Sequence, residues 1–228
     1  MTKKLFITGT GTDVGKTYVS GLIVKKLHDA GIKTAYYKCA LSGNIRDKDG
    51  KLVPGDALWV KERSGIEQDL ATMCPYVYEA AASPHLASRL EGNPVRMDVV
   101  KKGFDTLCEE YDYVAVEGSG GIVCPIYFEE TKILLEDIVQ ALDLACVIVA
   151  DAGLGAINNV VLTVNYMQSK KIAIRGIIFN RYNAGNYIEK DNLTICEQLT
   201  GVPVVACVSE GDCEFGLEID ALKDLFIE

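Results

Sequence analysis

Basic residues are scarce for a chain of this size: 23 lysines and arginines stand against 32 aspartates and glutamates, a formal net charge of −9. So acidic a surface disfavours nucleic acid and anionic membranes as partners. An anionic small molecule remains open to it, because one pocket can oppose the overall sign. None of the eight cysteines stands in C-x-x-C spacing, and several lie within apolar runs such as LACVIVA. That pattern argues against zinc or a disulfide framework and predicts buried free thiols in a reducing compartment. Long apolar runs are missing too. The longest, Leu144 to Ala150, is about a third of a membrane span. The opening MTKKLFITG is too short in apolar residues for a signal peptide. The expectation is a cytoplasmic protein without membrane association. Repeats, low-complexity tracts and linkers are absent as well, so residues 1–228 are expected to form a single domain.

Apolar residues make up 49% of the chain and charged residues 24%, enough to bury a sizeable core. Short β-rich runs recur along it: LFIT (5–8), TAYYK (34–38), YVAVE (113–117), CVIVA (146–150), GIIFN (176–180) and VVACV (204–208). Most are apolar throughout rather than alternating, as parallel strands covered on both faces require. Helical stripes lie between them. Val19, Leu22, Ile23, Leu27 and Ala30 form one, followed by Gly31 as a C-terminal cap; Val99, Val100, Phe104, Leu107, Cys108 and Tyr111 form another. The alternation predicts a doubly wound, mostly parallel α/β sheet flanked by helices, whose ligands gather at the carboxyl ends of the strands.

The residues just beyond each strand therefore carry the function. After the first strand comes TGTGTDVGKT, close to the phosphate loop G-x-x-x-x-G-K-[ST] but with Thr10 where the first glycine belongs. Small residues let backbone N–H groups face an anion at a helix start. Lys16 would bridge β- and γ-phosphates, and the Thr17 hydroxyl would coordinate Mg²⁺. The second strand ends in YYKCALSG, placing Lys38 as a second cation and Ser42 in a turn. The stretch 41–57 reads as a surface hairpin leading to Asp56, a helix N-cap or a magnesium-associated carboxylate. The third strand ends in EGSGG. An ionised Glu117 closing an apolar strand needs a partner or a metal, with Gly118, Gly120 and Gly121 allowing close backbone approach. Ser83, Pro84 and His85 read as a helix start, with His85 either packing or acting as a base. Of the two histidines, His28 carries no signal. The turn before Asn158, in ADAGLGAINN, opens a helix able to hold an anion, and Asn180 ends a strand where its amide can pair with adenine.

Together these residues resemble the ATP-dependent dethiobiotin synthetase family over essentially the whole chain, and with it a P-loop NTPase type of fold. The family's loop G-T-x-T-[DE]-V-G-K-T fits Gly9 to Thr17 with Thr10 in place. Its K-x-x-x-S-G matches Lys38 to Gly43, its D-A matches Asp56-Ala57, its S-P-H matches Ser83 to His85, and its V-E-G-x-G-G matches Val116 to Gly121. The resemblance implies ring closure of 7,8-diaminononanoate with CO₂ (or bicarbonate) and ATP to dethiobiotin, ADP and phosphate. It implies that Lys16, Lys38 and Thr12 take part in catalysis and that Thr17, Asp56 and Glu117 hold Mg²⁺. It implies that Asp13, Val14, Gly15, Tyr18, Gly118, Ser119, Gly120, Asn180, Arg181, Ser209, Glu210 and Gly211 contribute to nucleotide binding. Ser42 would hold the carbamate. Gly155, Ala156, Ile157 and Asn158 would receive the substrate carboxylate from a neighbouring subunit of a homodimer.

The chain departs from the family at Gly11, where many relatives carry an acid, at Arg181, and in ACVSEGD after the last strand, which lacks a G-x-x-P. A partition- or carrier-type ATPase of the same superfamily is the main rival reading; its signature lysine would stand at Gly11. A related ligase or kinase acting on another acid is a second. A Rossmann dehydrogenase is a third, although GTGTDV is not G-x-G-x-x-G.

Overall fold

The computed structural model describes residues 1–228. Six parallel strands form the central sheet: β1 (Lys3–Gly9), β2 (Thr34–Lys38), β3 (Tyr113–Glu117), β4 (Cys146–Asp151), β5 (Ile174–Asn180) and β6 (Val204–Val208). Their order is β6-β5-β4-β1-β3-β2. The chain thus leaves β1 on one side, fills β2 and β3, and returns past β1 to β4. That reversal places the end of β1 at the switch point of the sheet, where doubly wound folds bind ligands. All six strands appear where the apolar runs place them, within two residues at either end.

Nine helices connect and cover the strands: α1 (Lys16–Asp29), α2 (Gly55–Ser64), α3 (Leu70–Met73), α4 (Pro84–Leu90), α5 (Met97–Glu110), α6 (Leu135–Ala141), α7 (Ala156–Ser169), α8 (Tyr187–Thr200) and α9 (Ile219–Lys223). The core is divided by the sheet. On one face α1 and α2 bury Val19, Leu22, Ile23, Ala57 and Val60 against Leu5, Ile7, Tyr36 and Ala115. On the other, α5, α6 and α7 bury Phe104, Ile138 and Val160 against Phe6, Tyr37 and Val116. The two-residue alternation of strands therefore decides the site. Tyr36 and Lys38 on β2, and Ala115 and Glu117 on β3, share the face that α1 covers. Lys38 and Glu117 are also direct cross-strand partners, with Ile7 on the far side of Glu117.

Several local expectations need correction. Val99 is exposed rather than part of the α5 stripe, whose buried members are Val100, Phe104 and Leu107, and Cys213 is exposed rather than a buried thiol. Ala30 is exposed rather than part of the α1 stripe, because the helix ends at Asp29; Gly31 does adopt a positive φ of 74° just beyond it. Asp56 is not an N-cap. Pro54 occupies that position without a side-chain bond, and Asp56 lies in the first turn of α2. Its carboxylate is thereby free to meet Lys38. The 41–57 hairpin does form, as a short antiparallel pair of Ile45–Arg46 with Leu52–Val53.

Candidate active site

The phosphate loop spans the gap between β1 and α1. At its end Gly15 has φ 88°, a left-handed conformation that side chains disfavour. A Cβ there would stand 1.9 Å from Asn180 Nδ2. Asn180, at the end of β5, donates that amide to the Val14 carbonyl at 3.0 Å. Its neighbour Arg181 donates to the Asp13 carbonyl at 2.8 Å and pairs with Asp151 at 2.9 Å. The ends of β4 and β5 thus clamp the loop from one side. Gly11, in contrast, has open space where a side chain would be. The loop's shape does not demand glycine there.

Lys16 is buried, and its Nζ donates to the Gly11 carbonyl at 2.8 Å. Burial lowers its pKa below the ordinary lysine value, and the positive charge of Lys38 lowers it further, with Glu117, Asp56 and Asp13 opposing. Lys38 is the opposite case. Burial favours its neutral amine, but Glu117 and Asp56 more than offset this, and its pKa is raised. Its Nζ stands 2.6 Å from Asp56 Oδ2 and 2.6 Å from Glu117 Oε1.

Glu117 is fully buried yet has every oxygen satisfied. Oε1 accepts from Thr17 Oγ1 at 2.8 Å as well as from Lys38, and Oε2 accepts from the Tyr36 hydroxyl at 2.9 Å. Oxygens of Asp56 and Glu117 therefore converge on one cationic point, held in this structure by the lysine ammonium, and the Thr17 hydroxyl joins the cluster through Glu117 Oε1. A hard-oxygen donor set around a position that stabilises positive charge suits Mg²⁺. Tyr36 belongs to no motif in the sequence. It sits two residues before Lys38, and strand parity alone puts both on the side of Glu117.

Two cavities share this centre. One, of about 430 Å³, has no hydrophobic lining residue and is bounded by Thr12, Asp13, Gly15, Lys16, Thr17, Lys38, Asp56, Glu117, Gly120 and Arg181. The second, of about 560 Å³, shares Thr12, Asp13, Lys38, Asp56 and Gly120 with it and adds Leu41, Ser42, Gly43, Ala81 to Pro84, Ser119 and Cys124. A wholly polar cleft thus opens into a mixed pocket, with Lys38 and Asp56 at the junction. Ser42 Oγ donates to the Ala82 carbonyl at 2.5 Å, and Ser119 Oγ to the Ala40 carbonyl at 2.6 Å.

Other expected residues fall elsewhere. Gly118 is closely packed on its side-chain side: a Cβ would meet Leu135 at 2.8 Å and Phe6 at 3.0 Å. Ser83 heads α4, but its hydroxyl is paired with His85 Nδ1 at 3.0 Å instead of capping the helix. The His85 ring also packs edge-on to Phe128. Ser209, Glu210 and Gly211 form a turn in which the Ser209 N–H donates to Asp212, whose carbonyl accepts from the Tyr18 hydroxyl. Gly155 is the left-handed residue before α7. Gly155, Ala156, Ile157 and Asn158 border neither cavity.

The strand order, the phosphate loop and the buried carboxylate at the end of β3 define a P-loop ATPase domain, and residues 3–212 match the model of an AAA domain family. Among solved structures, a ParA family ATPase from Chlorobium tepidum aligns with a TM-score of 0.58 at 13% identity, over 99% of this chain and 89% of that one. A chain of the MinC:MinD cell division protein complex from Aquifex aeolicus aligns with a TM-score of 0.58 at 16% identity, over 97% and 86%. Likeness at such identity concerns the fold. Sequence relatives are more informative. The ATP-dependent dethiobiotin synthetase of Brachyspira hyodysenteriae is 45% identical over 92% of this chain and 94% of its own length. That of Clostridium perfringens is 45% identical over 91% of each. The chain belongs to the ATP-dependent dethiobiotin synthetase family.

Proposed function

We propose that the protein is an ATP-dependent cyclo-ligase that closes the ureido ring of dethiobiotin from 7,8-diaminononanoate and CO₂, releasing ADP and phosphate. The observation that carries this reading is the junction of a phosphate cleft and a second pocket at Lys38 and Asp56. A hydrolytic switch needs only the first cavity; a ligase needs an acceptor held against the γ-phosphate. Gly11, in place of the lysine of partition ATPases, supports the same choice.

The chemistry is dictated by the substrate. A carbamate formed on the 7-amino group resists amine attack, because its carbonyl is resonance-stabilised and its leaving group would be oxide. Attack of the carbamate oxygen on the γ-phosphorus expels ADP and installs phosphate as a competent leaving group. The 8-amino nitrogen then bonds to the carbonyl carbon, phosphate departs and the nitrogen loses a proton. In the proposed site Lys16 spans the β- and γ-phosphates, and Lys38 faces the transferring phosphoryl group and the carbamate oxygens. Thr12 and Ser42 hold the carbamate. Thr17, Asp56 and Glu117 would hold Mg²⁺, which when bound neutralises phosphate charge. Asn180, Arg181, Tyr18 and the Ser209–Gly211 turn bound the nucleotide side, with Asn180 retaining its carbonyl oxygen and one N–H for the base after its bond to Val14.

We further assign the chain as one domain that works as a homodimer in the cytoplasm. Exposed Val123 and Leu162, which border one open cleft, offer an apolar surface to a second copy, and the start of α7 would complete that copy's site. All eight cysteines are free, as suits a reducing compartment, and no helix is long and apolar enough to cross a membrane. The test is phosphate release from MgATP with 7,8-diaminononanoate and bicarbonate, each omitted in turn. Turnover should require all three; ATP hydrolysis indifferent to the diamine would refute the assignment.

A further inference from the structure

We infer that Tyr36 determines which metal ion the site accepts, by reserving one oxygen of Glu117. This rests on the reading above that Glu117 is a metal ligand. Tyr36 is fully buried, and its hydroxyl donates to Glu117 Oε2 at 2.9 Å. The other oxygen, Oε1, is the one that meets Thr17 and Lys38. The carboxylate therefore turns a single oxygen to the cation position.

The tyrosine cannot readily relax out of this arrangement. It lies on β2, the edge strand of the sheet, and the Gln68 amide satisfies its outward backbone groups: Gln68 Oε1 accepts from the Tyr36 N–H at 2.8 Å, and Gln68 Nε2 donates to the Tyr36 carbonyl at 3.1 Å. Both ends of the residue are pinned. Moving Oε2 toward the cation would leave a buried phenol without an acceptor, and that loss disfavours two-oxygen chelation.

One-oxygen ligation discriminates between ions. Mg²⁺ takes six ligands at short distance and accepts single carboxylate oxygens, whereas Ca²⁺ seeks six to eight ligands and often binds carboxylates through both oxygens. A glutamate locked in one-oxygen presentation favours the smaller ion. Tyr36 is in this sense a positioning residue for metal specificity.

The test is equilibrium binding of ADP with Mg²⁺ or Ca²⁺ as the sole divalent ion, by calorimetry, without turnover. Tyr36→Phe should lower the preference for Mg²⁺ over Ca²⁺ by about tenfold, the lower range for one hydrogen bond to a charged group. Metal-free ADP affinity should not change. Tyr37→Phe is the control: Tyr37 is equally buried on the same strand, and its hydroxyl donates to the Val100 carbonyl at 2.8 Å, on the opposite face. It should lower stability and leave the ion preference alone. An unchanged preference in Tyr36→Phe, or an equal shift in Tyr37→Phe, overturns the inference. Glu117→Gln separates the two levels. If it leaves metal dependence intact, the assignment of Glu117 as a ligand fails and the inference falls with it; if it weakens metal binding while Tyr36→Phe does not alter preference, only the role of Tyr36 fails. Should Tyr36→Phe not fold, Tyr36→Phe/Glu117→Gln removes the buried charge together with its donor. Its ion preference should match that of Glu117→Gln alone, and any further change overturns the inference.

Discussion

Replacing Lys38 by methionine keeps the stem and removes the ammonium that joins Asp56 to Glu117. Removing one partner of a buried ion pair typically costs about 3–5 kcal/mol, because the other charge is left uncompensated. Here Asp56 is 39% exposed and water can solvate it, so it contributes little. Glu117 is wholly buried but keeps its bonds from Thr17 and Tyr36. The expected loss is therefore about 2–3 kcal/mol, or roughly 4–12 °C in Tm for a domain of this size. A second consequence distinguishes this from ordinary destabilisation. With the ammonium gone, the oxygen cluster lacks a cation, so Mg²⁺ alone should recover part of the stability of Lys38→Met and affect the parent protein much less. Urea unfolding with and without Mg²⁺, nucleotide omitted, measures both. A variant as stable as the parent, or one indifferent to Mg²⁺, would refute the assignment of this point as a cation position.

Lys16→Ala should reduce turnover at least a hundredfold, since the transferring phosphoryl group loses its cation; rates like those of the parent would remove the loop from the mechanism. Lys16 also gives a pH signature. Its pKa is lowered in the free protein by burial and by Lys38, and phosphate charge raises it on binding. Between the two values nucleotide binding takes up a proton, so ADP affinity should fall as pH rises through that window, with proton uptake visible by calorimetry in buffers of different ionisation enthalpy. Ser42→Ala should slow diamine- and bicarbonate-dependent turnover while leaving ADP affinity nearly unchanged, as its hydroxyl lines the second cavity only. Gly15→Ala places a methyl group against Asn180 Nδ2 in a left-handed backbone. Loss of nucleotide binding, measured by titration with ADP, is expected from the displaced loop.

The positions of the strands along the chain and the phosphate loop were legible because both are local. Continuous apolar runs such as TAYYK and YVAVE match β2 and β3 residue for residue. A glycine-rich turn between strand and helix likewise keeps its meaning without tertiary context. Lys16, Thr17, Lys38 and Glu117 stand out for the same reason, as charged or hydroxyl groups at strand ends and a helix start. Ser42 in the turn after β2 and Asp56 at a helix start stand out in the same way, although the N-cap position weighed for Asp56 belongs to Pro54.

Partnership was the part no local pattern could supply. Residues Tyr36, Lys38, Asp56 and Glu117 are separated by up to 81 positions in the chain, yet their side chains meet within 2.9 Å. That meeting depends on β2 lying beside β3 in one register and on both presenting the α1 face. The same tertiary placement packs Phe6 and Leu135 against the side of Gly118 where a Cβ would stand. It also gave Asn180 and Arg181 a hold on the phosphate loop. The amino-acid sequence determined the elements and the chemical groups at their ends, since propensity and periodicity act over a few residues. Which charge neutralises which, and which oxygen of Glu117 faces the cation position, was decided only when the sheet brought distant strands into register.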